Sequence, residues 1–132
     1  MLKEFPNTKQ HPGEPKRRWF WSEKFDLYVW QDEAGEIVAF QLCYAKYRGE
    51  RALFWKSSAG YAHLRIDDGE AGGLGAATPI MLADGLFDAE SVLESFLGQA
   101  SELPEALAGF IAKHIVECPM SLRVDPDAPA GA

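Results

Sequence analysis

Ile37-Val38-Ala39-Phe40-Gln41-Leu42-Cys43-Tyr44 is the stretch on which the fold turns. It is rich in β-branched and aromatic residues, holds neither Gly nor Pro, and is apolar on both parities. That is the pattern of a central strand covered on both sides. Turn signals flank it closely. Upstream, Asp32-Glu33-Ala34-Gly35-Glu36 reads as a hairpin loop in which Gly35 supplies a left-handed residue, entered by a strand over Phe25–Asp32. Downstream, Tyr47-Arg48-Gly49-Glu50 reads as a second turn, Arg51–Ser57 as a strand, Ser58-Ala59-Gly60 as a third turn and Tyr61–Asp67 as another strand. Turns about every ten residues between strand-like runs predict an antiparallel meander.

Further out, Lys16-Arg17-Arg18-Trp19-Phe20-Trp21 reads as an edge strand whose charges discourage edge-to-edge pairing. Basic residues beside aromatics also suit nucleic-acid stacking, but a net charge of −7 disfavours nucleic acid as a partner. Residues 1–15, with Pro6, Pro12, Gly13 and Pro15, read as a loosely ordered arm. Asp68–Ala77 is Gly-rich, yet a phosphate cradle needs a helix straight after it, and Thr78-Pro79-Ile80-Met81-Leu82 reads instead as a short strand. Asp88 is an N-cap, with Phe87 placed to staple against Val92, and Val92, Leu93, Phe96 and Leu97 form an apolar helical stripe. A second helix starts at Pro104, carries Leu107, Phe110, Ile111 and Ile115, and stops at Pro119. Residues 119–132 read as a disordered tail.

The expectation is therefore one α+β domain over residues 16–118. It comprises an antiparallel, strongly twisted meander sheet of about five or six strands, with two C-terminal helices packed on one face. A chain of 132 residues with 47% hydrophobic content suits a single core. No run reaches the roughly 18 apolar residues of a membrane span, and the N-terminus lacks the apolar segment of a signal peptide. A cytoplasmic protein with Cys43 and Cys118 as reduced thiols is expected.

Pairing strands symmetrically about Gly35 sets Tyr28 opposite Phe40 and Trp30 opposite Val38. Parity then predicts an aliphatic face carrying Leu27, Val29, Ala39, Cys43, Ala52, Phe54, Ala62 and Leu64, close-packed under the helices, with Gln41 and Lys56 as polar exceptions. The opposite face gathers Tyr28, Trp30, Phe40, Tyr44, Leu53 and Trp55, with Arg51, His63, Arg65 and Asp67 to one side. So apolar a face needs a cover: a second subunit, a small ligand, or the N-terminal arm with the loop around Gly72. A non-catalytic binding protein is expected, a homodimer through this aromatic face. The alternative is a small enzyme or small-molecule-binding protein with a pocket near Arg51, His63, Arg65 and Asp67.

No catalytic motif assembles. His63 with Asp67 is half an acid–base arrangement, without a visible nucleophile or substrate-binding pair. His63, Asp67 and Asp68 lack the paired spacing of a metal site, and no metal or cofactor is expected. His114, on the stripe of the last helix, reads as a core-edge residue, Cys43 as a buried and inert thiol, and Glu90 with Glu94 as a solvated helix surface.

The runs Arg17-Arg18-Trp19-Phe20, Phe25-Asp26-Leu27, Phe40-Gln41-Leu42-Cys43-Tyr44 and Arg51-Ala52-Leu53, with His63 to Glu70, resemble a family of small uncharacterised bacterial proteins, a domain of unknown function. The similarity spans residues 16–118 and implies a bacterial, cytoplasmic, single-domain protein. It implies no activity, cofactor or catalytic residue.

Overall fold

The computed structural model describes residues 1–46, 50–67, 80–83 and 87–119. The Gly-rich loop, the tip of the turn at Gly49 and the tail beyond residue 119 lie outside the described residues. The strands β1 (Lys3–Glu4), β2 (Lys16–Trp21), β3 (Asp26–Gln31), β4 (Ile37–Tyr44), β5 (Arg51–Lys56), β6 (Gly60–Asp67) and β7 (Ile80–Ala83) precede the helices α1 (Ala89–Gln99) and α2 (Glu105–Glu117). The sheet runs β1 to β7 in chain order, every neighbouring pair antiparallel, so the α+β meander stands as expected. Gly35 and Gly60 occupy hairpin loops at φ 85° and 84°, where a side chain would be strained.

Asp88 caps α1, its side chain accepting from the Ser91 N–H at 3.1 Å. Pro104 stands at the N-cap of α2, and Cys118 and Pro119 follow the last turn. The arm at residues 1–15 holds β1 and buries Leu2 completely, and the Leu2 N–H donates to the carbonyl of Gln99 at the end of α1. Glu4 and Arg18 join β1 to β2 through two 2.8 Å hydrogen bonds.

The helices do not cover the face that parity assigned them. One core joins Phe20, Leu27, Val29, Phe40, Leu42 and Leu53 of the sheet to Phe87, Val92, Phe96, Leu107, Ile111 and Ile115. The physical reason is a β-bulge. Gln31 pairs with Ile37, but Trp30 pairs with Ala39, so Val38 is an extra residue in β4. Because side chains alternate with period two, this single insertion moves Asp26 to Trp30 of β3 to the other parity. Val29 then stands opposite Phe40, and Tyr28 opposite Gln41. Beyond β4 the ladders run without a further bulge, setting Leu42 opposite Leu53 and Leu53 opposite His63, so the two faces continue through β6.

Candidate functional site

The face away from the helices is built of three rows across the strands. The first is Trp21, Asp26, Cys43, Ala52 and Leu64. The second is Trp19, Tyr28, Gln41, Phe54 and Ala62. The third is Arg17, Trp30, Ala39, Lys56 and Gly60. Trp19, Trp21, Tyr28 and Trp30 stand on β2 and β3, while β4 to β6 contribute Phe54, Gln41, Lys56 and Leu64 among the small side chains of Ala39, Cys43, Ala52, Gly60 and Ala62.

The aromatics form a continuous ring stack. Phe5 lies on Trp19 with centroids 4.2 Å apart, Trp19 on Tyr28 at 5.8 Å, and Tyr28 on Trp30 at 6.3 Å. Interplanar angles of 14°, 7° and 29° put these rings face to face, so both faces of Trp19 and Tyr28 are occupied. Burial among them pushes the Tyr28 hydroxyl up to about 12.

The two ends of this face differ. At the Trp21 end the polar groups satisfy one another. Asp26 accepts from the Trp19 indole N–H at 3.0 Å and pairs with Lys46 at 3.2 Å. The Lys46 ammonium also donates to the Ser22 carbonyl and lies 5.0 Å from the Trp21 ring centroid. Cys43 is buried beside them, accepts from the Gln41 amide at 3.2 Å, and has its thiol pushed up to about 12 by desolvation. It is an inert thiol, and neither cysteine forms a disulfide.

The Arg17 end is open. A cleft of about 830 Å³ lies there, with Trp30, Ala39, Phe54 and Ala62 among its apolar lining and the turn at 57–60 closing one side. His11, Glu14 and Pro15 of the N-terminal arm also border it. The Gln10 side-chain amide fixes that arm, accepting from the Arg17 N–H and donating to the Arg17 carbonyl, both at 2.7 Å, as a paired strand residue would. Arg17 Nη2 donates to the Lys9 carbonyl at 3.0 Å, whereas its Nε is buried with no hydrogen-bond partner among the described residues. Lys56 stands at the rim, exposed.

The residues singled out from the sequence are divided by the fold. Tyr28 and Trp30 lie on this open face. Phe40, Leu53 and His63 are buried at 1%, 0% and 2% exposure on the helix-covered face, with Tyr44 and Trp55 packed against the same core. The expected single aromatic face is therefore two faces, and its larger part is core. His63 Nε2 bonds the Tyr44 hydroxyl at 2.5 Å and its ring lies 5.1 Å from Phe87, so it is an interior residue. Arg51 is half-buried and pairs across the ladder with Arg65, which is exposed, and the Asp67 side chain lies outside the described residues. Trp30 and Trp55 both border the cleft; His63, Arg51 and Arg65 do not.

Arg18 and Arg17 point to opposite faces, and Arg18 is engaged by Glu4. The basic-aromatic run is thus not one surface. His114 is buried where a core-edge residue was expected. Among the described residues no three His, Cys, Asp or Glu side chains group as metal ligands, and no helix is long and apolar enough to cross a membrane. Arg17, Phe54 and Lys56 escaped notice as a group. The signal for them was Gln41 and Lys56, polar residues in a face assigned to the core. Comparison with protein-family profiles, with curated proteins and with solved structures finds no match to this chain.

Proposed function

We propose that this chain is a non-catalytic binding protein that works through the helix-free face of its sheet, at the cleft beside Trp30. The observation that carries this reading is the contrast between the two ends of that face. The Trp21 end is closed by its own hydrogen bonds, while the Arg17 end leaves an 830 Å³ hollow with an apolar floor and a few polar groups at its edge. Concave, mostly apolar sites with a few convergent polar groups are the usual form of small-molecule sites. A fragment screen read by backbone amide shifts tests it. Hits should perturb Trp30, Ala39, Phe54, Lys56 and Ala62. Hits that instead shift only α1 and α2 would sink the reading.

A second reading, self-association, is favoured by Phe5 and Trp21. They are 42% and 40% exposed and meet edge to face at 6.5 Å, at the β1–β2 border of the same face. Light scattering on a sizing column separates the two. A mass near twice 14.6 kDa that Trp21→Glu returns to the monomer value supports a homodimer through this border. A monomer at all concentrations dismisses it.

A further inference from the structure

We infer that the cleft takes a flat aromatic monoanion, its ring laid on Trp30 and its charge on the Arg17 guanidinium. This rests on the binding reading above and names the ligand class for that site.

Among the described residues Trp30 has one stacked neighbour, Tyr28, and it borders the cleft. It ends a chain of four stacked rings, Phe5, Trp19, Tyr28 and Trp30, and it lines the hollow, where a ligand ring can be added. A planar π-system there would continue an arrangement the protein already uses, on a ring whose orientation is fixed by packing. An aliphatic ligand would gain burial but not the stacking.

Arg17 borders the same hollow. Its Nε carries a hydrogen-bond donor removed from solvent without an acceptor among the described residues. Nε is covered by the protein, so a ligand meets this guanidinium where Arg17 lines the cleft and balances a charge that the arm satisfies only in part. The arm holds this guanidinium in place, through Gln10 on the Arg17 backbone and the Lys9 carbonyl on Nη2. Arg17 stands directly across the ladder from Trp30, so donor and ring face share one location. A carboxylate supplies acceptor oxygens in the planar geometry a guanidinium prefers.

Arg17 and Lys56 are the cationic residues around the cleft, with His11 beside them, and Glu14 is the acidic one. Two cations against one carboxylate favour a single negative charge. A phosphate dianion would leave a net negative charge in the apolar cleft, whereas a monoanion brings Arg17, Lys56 and Glu14 to neutrality.

The test is isothermal titration of the full chain with three probes: 2-naphthoate, its neutral analogue 2-naphthalenemethanol, and cyclohexanecarboxylate. Saturable naphthoate binding, with both analogues weaker by about tenfold or more, is expected from a charge-assisted hydrogen bond added to stacking. Arg17→Met should erase the preference for naphthoate over the alcohol. Lys56→Gln, at an exposed position, should lower naphthoate affinity by a smaller factor without affecting folding. Trp30→Leu should weaken both aromatic probes. Equal binding of acid and alcohol, or of cyclohexanecarboxylate and naphthoate, overturns the inference. If none of the three binds while fragments of other chemistry still shift Trp30 and Phe54, the ligand class is wrong and the binding reading survives. If no compound shifts that face, the binding reading itself falls.

Discussion

The imidazole of His114 lies on the ring of Phe110, four residues earlier in α2, with centroids 4.2 Å apart, while His114 Nδ1 donates to the Phe110 carbonyl at 2.8 Å. Trp55 approaches the same imidazole at 4.4 Å, and Phe40 and Tyr61 at 5.9 and 6.1 Å, so one helix residue is boxed by rings from β4, β5 and β6. The Phe110 carbonyl already accepts a bond within the helical backbone, so the extra hydrogen bond is dispensable and the ring packing is not. His114→Ala should lower stability by about 2–4 kcal/mol through the cavity it leaves, whereas His114→Phe should cost under about 1.5 kcal/mol. Urea unfolding of both variants checks this. Equal losses would mean that the hydrogen bond, and not the box, is what matters.

Stability should fall in alkali. The Cys43 thiol is raised from 9.0 to about 12 and the Tyr28 hydroxyl from 10.0 to about 12, burial being the leading cause in each. Both groups stay protonated in the folded chain at pH values where the unfolded chain has lost its protons, so rising pH favours unfolding. The stabilisation is complete below about pH 9 and is lost progressively as pH climbs towards about 12. Cys43→Ala should flatten this decline between about pH 9 and 11 while leaving the part due to Tyr28. Thermal midpoints across that range decide it, and identical slopes in wild type and variant would contradict the assignment.

Much of the architecture was legible because local chemistry and fold agree. Gly35 and Gly60 mark hairpin loops, Asp88 marks the start of α1, and the stripe Leu107, Ile111, Ile115 marks the buried side of α2. What was not legible hangs on Val38. Nothing in Ile37-Val38-Ala39 announces that one residue will be left unpaired, yet it decides whether Leu27 and Val29 or Tyr28 and Trp30 join Phe40. The polar pair Gln41 and Lys56 did mark the solvent side. Reading them as exceptions to a core face, rather than as the signature of an open one, put the helices on the wrong side. The Gln10 clamp on Arg17 has no pattern at all, since it depends on an irregular arm returning to β2.

The N-terminus should contribute to stability out of proportion to its regular structure. Leu2 is fully buried in the main core, and its backbone N–H bonds the carbonyl of Gln99 at 2.9 Å, bridging the two ends of the fold. Leu2→Ala should cost about 2–4 kcal/mol, comparable to a central core truncation. Glu4→Gln, which weakens the partly exposed pair with Arg18, should cost less than about 1 kcal/mol. Denaturation of the two variants side by side measures the difference. A Leu2→Ala loss no larger than that of Glu4→Gln would show that the arm only lies over the core.

Neighbouring residues of β5 offer the sharpest check on which face is which. Leu53 is at 0% exposure beneath the helices, between Leu42 and His63, while Phe54 points the other way, between Gln41 and Ala62. Were the Leu53 face an interface, Leu53→Glu would yield a folded, soluble monomer. Under the observed packing it forces a carboxylate into the core without a partner, at a cost above about 4 kcal/mol, comparable to the whole stability of a small domain. The variant should lose its far-ultraviolet dichroism or aggregate. Phe54→Glu instead places the same charge at the border of the open cleft, where water can reach it, and should fold with a loss of about 1–2 kcal/mol. It should also disturb the floor beside Trp30 and weaken any ligand there. A folded Leu53→Glu together with an unfolded Phe54→Glu would reverse the assignment of the two faces and remove the cleft as a candidate site.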